Sequence, residues 1–278
     1  GRVADIKFFP SGDRVATAGA DGLCIVWSVA TGRPLLTLEH GRASVLEVQV
    51  LPSGEGLVSL GSDLRVAVWD ARSGAMLRQL EFEGVKEMRH MKVFPQGDRI
   101  LTGVSFAPGD PALVWSLADG KVLHELRLHR ERLRLLELSP CGGKIVAAGD
   151  RRVVVWDAAS GRLDRELPMR AKWVSGLAIS SGGARVVVSS LNGAISIWGR
   201  SDKPCQTLFM EHGVVAFTLL SGEKSLVAFG SSHAAVWDMD TGKQLRVLEG
   251  GGGAELQRLA ISVSGPVVAA CGGAAPAR

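Results

Sequence analysis

An all-β fold, a β-propeller of six complete four-stranded blades and an incomplete seventh, follows from how tryptophan, glycine and β-branched residues are spaced along this 278-residue chain. Six of the seven tryptophans, Trp27, Trp69, Trp115, Trp156, Trp198 and Trp237, recur at gaps of 42, 46, 41, 42 and 39 residues. A glycine turn precedes each of them, and a second turn follows. The segments between turns are short and β-branched, as in Val153-Val154-Val155-Trp156 and Arg185-Val186-Val187-Val188, which is strand length and not helix length. A unit of about 42 residues holds four strands, cannot cover both faces of its own sheet, and must stack on its neighbours.

The repeats follow in order, as one propeller domain over residues 1–278. The first (3–40) has the turn Ser11-Gly12-Asp13-Arg14, then Trp27 and the turn Thr31-Gly32-Arg33. The second (41–83) has Ser53-Gly54-Glu55-Gly56, Trp69-Asp70 and Ser73-Gly74-Ala75. The third (84–128) has Gln96-Gly97-Asp98-Arg99 and a stretched turn from Phe106 to Pro111, which accounts for its 46-residue gap before Trp115. The fourth (129–168) has Cys141-Gly142-Gly143-Lys144, Trp156-Asp157 and Ser160-Gly161-Arg162. The fifth (169–211) has Ser181-Gly182-Gly183-Ala184 and Trp198, but Ser201-Asp202-Lys203 has lost the second glycine. The sixth (212–250) has Ser221-Gly222-Glu223-Lys224, Trp237-Asp238 and Thr241-Gly242-Lys243. The remainder (251–278) offers two strands, Leu256 to Ser262 and Pro266 to Cys271. A length of about 6.6 repeats reads as a piece of a seven-bladed or larger propeller in a longer protein, with the first-to-last seam its least ordered part.

Composition narrows the function classes. The chain is 46% hydrophobic with a net charge of +4, too apolar and too weakly charged for disorder. It has no apolar run of 18 residues, so no transmembrane helix is expected. Cys24, Cys141, Cys205 and Cys271 are dispersed without a CxxC pair, which argues against a zinc site or disulfide framework. That pattern predicts a reducing, intracellular compartment, cytoplasmic or nuclear. No P-loop, GxSxG, HExxH or strand-to-helix GxGxxG is present, and Gly250 to Gly253 lacks the following Lys-Ser/Thr of a phosphate loop. No catalytic residue, metal ligand or cofactor is assigned, and the chain reads as a non-enzyme.

The Trp register, with three Trp-Asp pairs, resembles the WD40-repeat family along nearly the whole chain. In similar repeats a His, a turn Asp, a strand Ser/Thr and the indole N–H form one buried hydrogen-bond chain. The resemblance therefore assigns His40, Ser59, Asp63 and Trp69 in blade two to structure, although they imitate a hydrolase triad. Blade one offers Thr17, Asp21 and Trp27. Blade four offers His129, Asp150 and Trp156, with aliphatic residues where the hydroxyl belongs. Blade five substitutes Asn192, and blade six has His212 with Ser231-Ser232 at its turn.

In a propeller the loops between blades and between second and third strands share one face, where binding is expected. Residues 127–172 carry eleven basic and six acidic side chains. Arg130, Arg132, Arg134, Arg151, Arg152, Arg170 and Lys172 are predicted to emerge on that face, with Trp173, out of register with the other six, as an apolar anchor. The expected partner is a protein or peptide with an acidic or phosphorylated segment; nucleic acid and membrane are disfavoured. Trp69-Asp70-Ala71-Arg72 is also similar to the WDxR box of WD40 substrate receptors of cullin-4 ubiquitin ligases, with Arg72 as the adaptor contact. The leading function is an interaction scaffold, within a larger protein or multiprotein complex. The alternative is a sensor propeller of a NACHT- or apoptosome-like nucleotide switch; an enzyme with a cofactor or metal in the central channel is disfavoured, because the inner strands offer only isolated carboxylates such as Glu47 and Glu137.

Overall fold

The computed structural model describes residues 1–81, 88–104, 109–128, 131–169, 174–200, 204–210, 213–214, 216–220, 223–230, 233–249, 255–261 and 268–273. Every regular element among them is a β-strand. The fold is of WD40-propeller type: six four-stranded antiparallel sheets, each a meander in chain order, plus a two-stranded sheet. The chain divides into two compact units, Gly1–Arg132 and Leu133–Arg278.

The first unit holds three blades. Blade one is β1 (Val3–Phe8), β2 (Arg14–Gly19), β3 (Leu23–Ser28) and β4 (Pro34–Glu39). Blade two is β5 (Val45–Val50), β6 (Gly56–Gly61), β7 (Val66–Asp70) and β8 (Met76–Leu80). Blade three is β9 (Met88–Val93), β10 (Arg99–Val104), β11 (Pro111–Ser116) and β12 (Val122–Arg127). The middle strands of blades two and three are covered on both faces, which is why they read as continuous apolar runs. In blade two, Leu57, Ala67 and Trp69 pack toward blade one with Phe9, Val26 and Leu38. Val58, Leu60, Val66 and Val68 pack the other way, against Met91, Ile100 and Trp115 of blade three. A buried indole removes about 150–250 Å² from water, so Trp69 and Trp115 weld their blades to the preceding one.

The second unit holds blade four, β13 (Leu135–Leu138), β14 (Lys144–Ala148), β15 (Arg152–Asp157) and β16 (Leu163–Pro168). Blade five is β17 (Val174–Ile179), β18 (Val186–Ser190), β19 (Ala194–Trp198) and β20 (Pro204–Phe209). Blade six is β21 (Ala216–Leu219), β22 (Ser225–Phe229), β23 (His233–Asp238) and β24 (Gln244–Glu249). Trp198 closes a core with Val146, Val155 and Leu167 of blade four, and Trp237 one with Val187, Ile197 and Leu208 of blade five. The two-stranded sheet pairs β25 (Glu255–Ile261) with β26 (Val268–Gly273).

Two devices recur. The register between third and fourth strands slips by one residue immediately before every blade tryptophan. This bulge turns Leu35, Leu77, Leu123 and Leu245 outward on the outermost strands, where they are exposed. Arginines then tie neighbouring blades by donating to backbone carbonyls. Arg14 reaches Ala71 O at 3.0 Å and Gly54 O at 3.2 Å, Arg78 reaches Ala118 O at 2.6 Å, and Arg165 reaches Gly183 O at 3.3 Å and Gly199 O.

Candidate functional site

The strand register fixes one polar position per blade. Two residues beyond the second-strand partner of the tryptophan stand Thr17, Ser59, Thr102, Ala147, Val188 and Ala228 in blades one to six. Where that residue is a hydroxyl, it accepts the indole N–H: Trp27 to Thr17 at 2.9 Å, Trp69 to Ser59 at 2.8 Å and Trp115 to Thr102 at 3.1 Å. All three lie in the first unit. In blade five the position is Val188, and the Trp198 Nε1 is buried without an acceptor. Blade three's hydroxyl, Thr102, is absent from the sequence reading because the stretched turn separates it from Trp115. Counting forward from the upstream turn finds it, since Thr17, Ser59 and Thr102 each lie five residues after Gly12, Gly54 and Gly97.

Among the described residues, blade two has the longest chain of polar contacts. His40 Nδ1 lies 2.9 Å from Ser59 Oγ, and His40 Nε2 lies 3.7 Å from Asp63 Oδ1. Because the indole donates to Ser59, the serine hydrogen goes to Nδ1 and the imidazole proton is assigned to Nε2, facing Asp63. Burial holds the imidazole below its ordinary pKa, against the opposing pull of Asp63. A Cβ at position 61 would stand 2.3 Å from Asp63 Oδ1 and 2.4 Å from His40 Nε2, so only glycine fits beneath the pair. Ser59 is fully buried and already accepts the indole. It offers no reachable nucleophile, and these residues form an internal brace, not a triad.

The aspartate after the tryptophan has a different task. Asp70, Asp157 and Asp238 each accept both the backbone N–H and the hydroxyl of the residue three further on. The distances are 2.6 and 2.7 Å from Ser73, 3.0 and 2.8 Å from Ser160, and 2.7 and 2.8 Å from Thr241. These bonds hold all three carboxyls below the usual range, led by the Ser73 and Thr241 backbone N–H groups for Asp70 and Asp238 and by the Ser160 hydroxyl for Asp157. Asp21 accepts the Leu23 N–H at 3.3 Å and pairs with the Gly1 amino group at 3.1 Å. Asp150, six residues before Trp156, takes the Arg134 Nε at 2.7 Å. His129 and His212 lie outside the described residues.

Of the basic set, Arg134 pairs with Asp150, and Arg152 pairs with Glu166 at 3.1 Å; both arginine side chains remain well exposed, at 45% and 39%. Arg151 is exposed, on a two-residue turn closed by Gly149 N–H to Arg152 O. Arg132 is exposed and ends the first unit. Arg130, Arg170, Lys172 and Trp173 lie outside the described residues. Arg72 is 78% exposed and meets Glu55 at 3.0 Å. Among the described residues no three His, Cys, Asp or Glu side chains converge as a metal site, and no helix is long and apolar enough to cross a membrane. Cys24 is a packing residue, its thiol pushed up to about 12 by burial.

Blades knit by an indole donating across the second and third strands define a blade-repeat protein. The family model for the WD domain, G-beta repeat, matches residues 1–28 and 120–157. The match and the indole register together support a WD40-repeat protein. It is similar to guanine nucleotide-binding protein subunit beta-2 of Nicotiana tabacum, 24% identical over 185 residues, covering 61% of this chain and 49% of that protein. A second Nicotiana tabacum protein, guanine nucleotide-binding protein subunit beta, matches at the same identity and coverage. Over 78 residues the chain is 37% identical to centriole proteome protein 16 of Chlamydomonas reinhardtii, covering 25% of this chain and 4% of that protein. The chain thus spans about half the length of the tobacco relatives.

Proposed function

We propose that the chain is a non-catalytic protein-interaction scaffold whose blade-four turn takes an acidic or phosphorylated segment of a partner protein. The observation that carries the reading is the juxtaposition of Arg134, Arg151 and Arg152 at one end of blade four, on a turn too short to fold away. Their carboxylate partners are exposed pairs, worth about 0–1 kcal/mol each, so a phosphate that accepts two parallel N–H bonds from a guanidinium displaces them readily. The tobacco relatives are named as protein subunits, which fits a scaffold that works inside an assembly. The test is affinity capture with the wild-type chain and with Arg134→Glu, Arg151→Glu, Arg152→Glu combined, followed by mass spectrometry. Partners held by the wild type should be lost from the variant. An identical set of partners on both would end the reading.

A further inference from the structure

The second unit contains a groove of about 690 Å³ along the first strands of three consecutive blades, remote from the blade-four turn. Apolar side chains line it, Leu177 on β17, Phe217 and Leu219 on β21, and Pro140 after β13, alongside Ser181 and Thr218. Two carboxylates border it: Glu137 on β13 and Glu223 on the turn before β22. Among the described residues no lysine or arginine lines it, although the chain carries a net charge of +4. In an antiparallel meander the first-to-second turn lies at the opposite end of the blade from the second-to-third turn. The groove and the arginine turn of blade four therefore face opposite ways.

The walls are built for this shape. Gly176 leaves room for the Phe217 ring, since a Cβ there would stand 2.7 Å from its Cε1. Glu223 sits at φ +53°, where the equivalent turn residues of the other five blades, Gly12, Gly54, Gly97, Gly142 and Gly183, are glycines at φ between +71° and +75°. Each of the six donates its N–H to the residue three back, so the turns are superposable. A β-carbon in that region costs about 1–2 kcal/mol. Blade six carries it and gains a carboxylate at the groove, fixed there by accepting the Ser181 N–H.

We infer that this groove is a second docking surface, for an extended peptide carrying lysine or arginine between apolar residues. The apolar neighbours cover Leu177, Phe217 and Leu219 while the cation lies between Glu137 and Glu223. The occupant is opposite in charge to the segment assigned to the blade-four arginines, and the two sites are separable by experiment.

The probes are fluorescein-labelled peptides GLKLKG, GLQLQG and GLELEG, titrated against the purified chain by fluorescence anisotropy. GLKLKG should bind about tenfold more tightly than GLQLQG, the weight of one charge contact, and GLELEG more weakly still. Glu223→Gly places in blade six the residue the other five blades carry, so it keeps the fold while removing the carboxylate. It should abolish most of the preference for GLKLKG, as should Glu137→Gln. Arg134→Glu with Arg152→Glu should leave the preference intact. Equal binding of the three peptides, no binding of any, or a preference that survives both glutamate variants or is lost in the arginine variant overturns the inference. The arginine variant also separates the two readings, because it removes only the acidic partner.

Discussion

A single hydroxyl position separates the halves of this chain. Thr17, Ser59 and Thr102 satisfy three indoles, while Ala147, Val188 and Ala228 stand in the same register position in the other three blades. At Trp198 the consequence is a buried N–H without an acceptor, a situation that costs about 1–3 kcal/mol. Val188→Thr should repair it, because threonine is nearly isosteric with valine and offers Oγ1 to the indole. Its own hydroxyl hydrogen can go to Ser196 O, as Thr17 donates to Ile25 O at 3.4 Å. The expected gain is about 1 kcal/mol, read as a higher urea midpoint with unchanged slope. A lower midpoint would mean that the hydroxyl fails to reach the indole. The reciprocal change, Thr17→Val, should lose a similar amount. Thr17, Ser59, His40 and Asp63 were legible because they stand at the repeat spacing. Thr102 was hidden by a longer turn, and no residue pattern announces a donor left without an acceptor.

Among elements, the strands were legible because glycine turns bracket β-branched runs, and the six sheets follow the six tryptophans. The bulge before each tryptophan was not legible, since it depends on which residue of the fourth strand is skipped, and that residue is variously Leu35, Leu77, Leu123, Asp164, Cys205 or Leu245. The arginine ties were equally invisible. Arg165 counts as one more charge in a basic stretch, yet its side chain is 11% exposed and its guanidinium is spent on carbonyls of blade five. Arg165→Met keeps the aliphatic stem and leaves those carbonyls without a donor. Stability should fall by about 1–2 kcal/mol, measured by urea unfolding followed through tryptophan fluorescence. An unchanged midpoint would show that water replaces the guanidinium at no loss. The reading of residues 127–172 as a basic surface therefore loses this member: local charge counting cannot tell a buried tie from a solvated cation.

For the whole molecule, the same contacts set how stability responds to acid, because three kinds of group titrate differently in the folded and unfolded chain. His40 is held low by burial, so the unfolded chain takes up its proton first. Its contribution is complete above the ordinary imidazole pKa of about 6.5 and is lost as pH falls from there toward the folded value. Glu47, which accepts the Met91 N–H at 3.2 Å, is pushed up by burial. It acts in the opposite sense, stabilising below the ordinary glutamate value of about 4.3 and losing that contribution as pH rises through its folded value. Asp70, Asp157 and Asp238 are held low by their turn bonds, so their contribution is present above about 3.9 and is lost as pH falls through their folded values. The urea midpoint should therefore be flat between about pH 6.5 and 8.5, the range below ordinary thiol ionisation, and decline below about 6.5. It should steepen again in the range where the three aspartates protonate. His40→Gln should flatten the upper decline. Glu47→Gln should deepen the fall between about pH 6.5 and 4.3 by removing the opposing contribution. The three aspartates changed together to asparagine should shrink the lowest step, to which Asp13, Asp21 and Asp119 also contribute, while leaving the others in place. A His40→Gln variant that still declines as steeply below pH 6.5 would show that the brace in blade two does not control the first stage of acid unfolding.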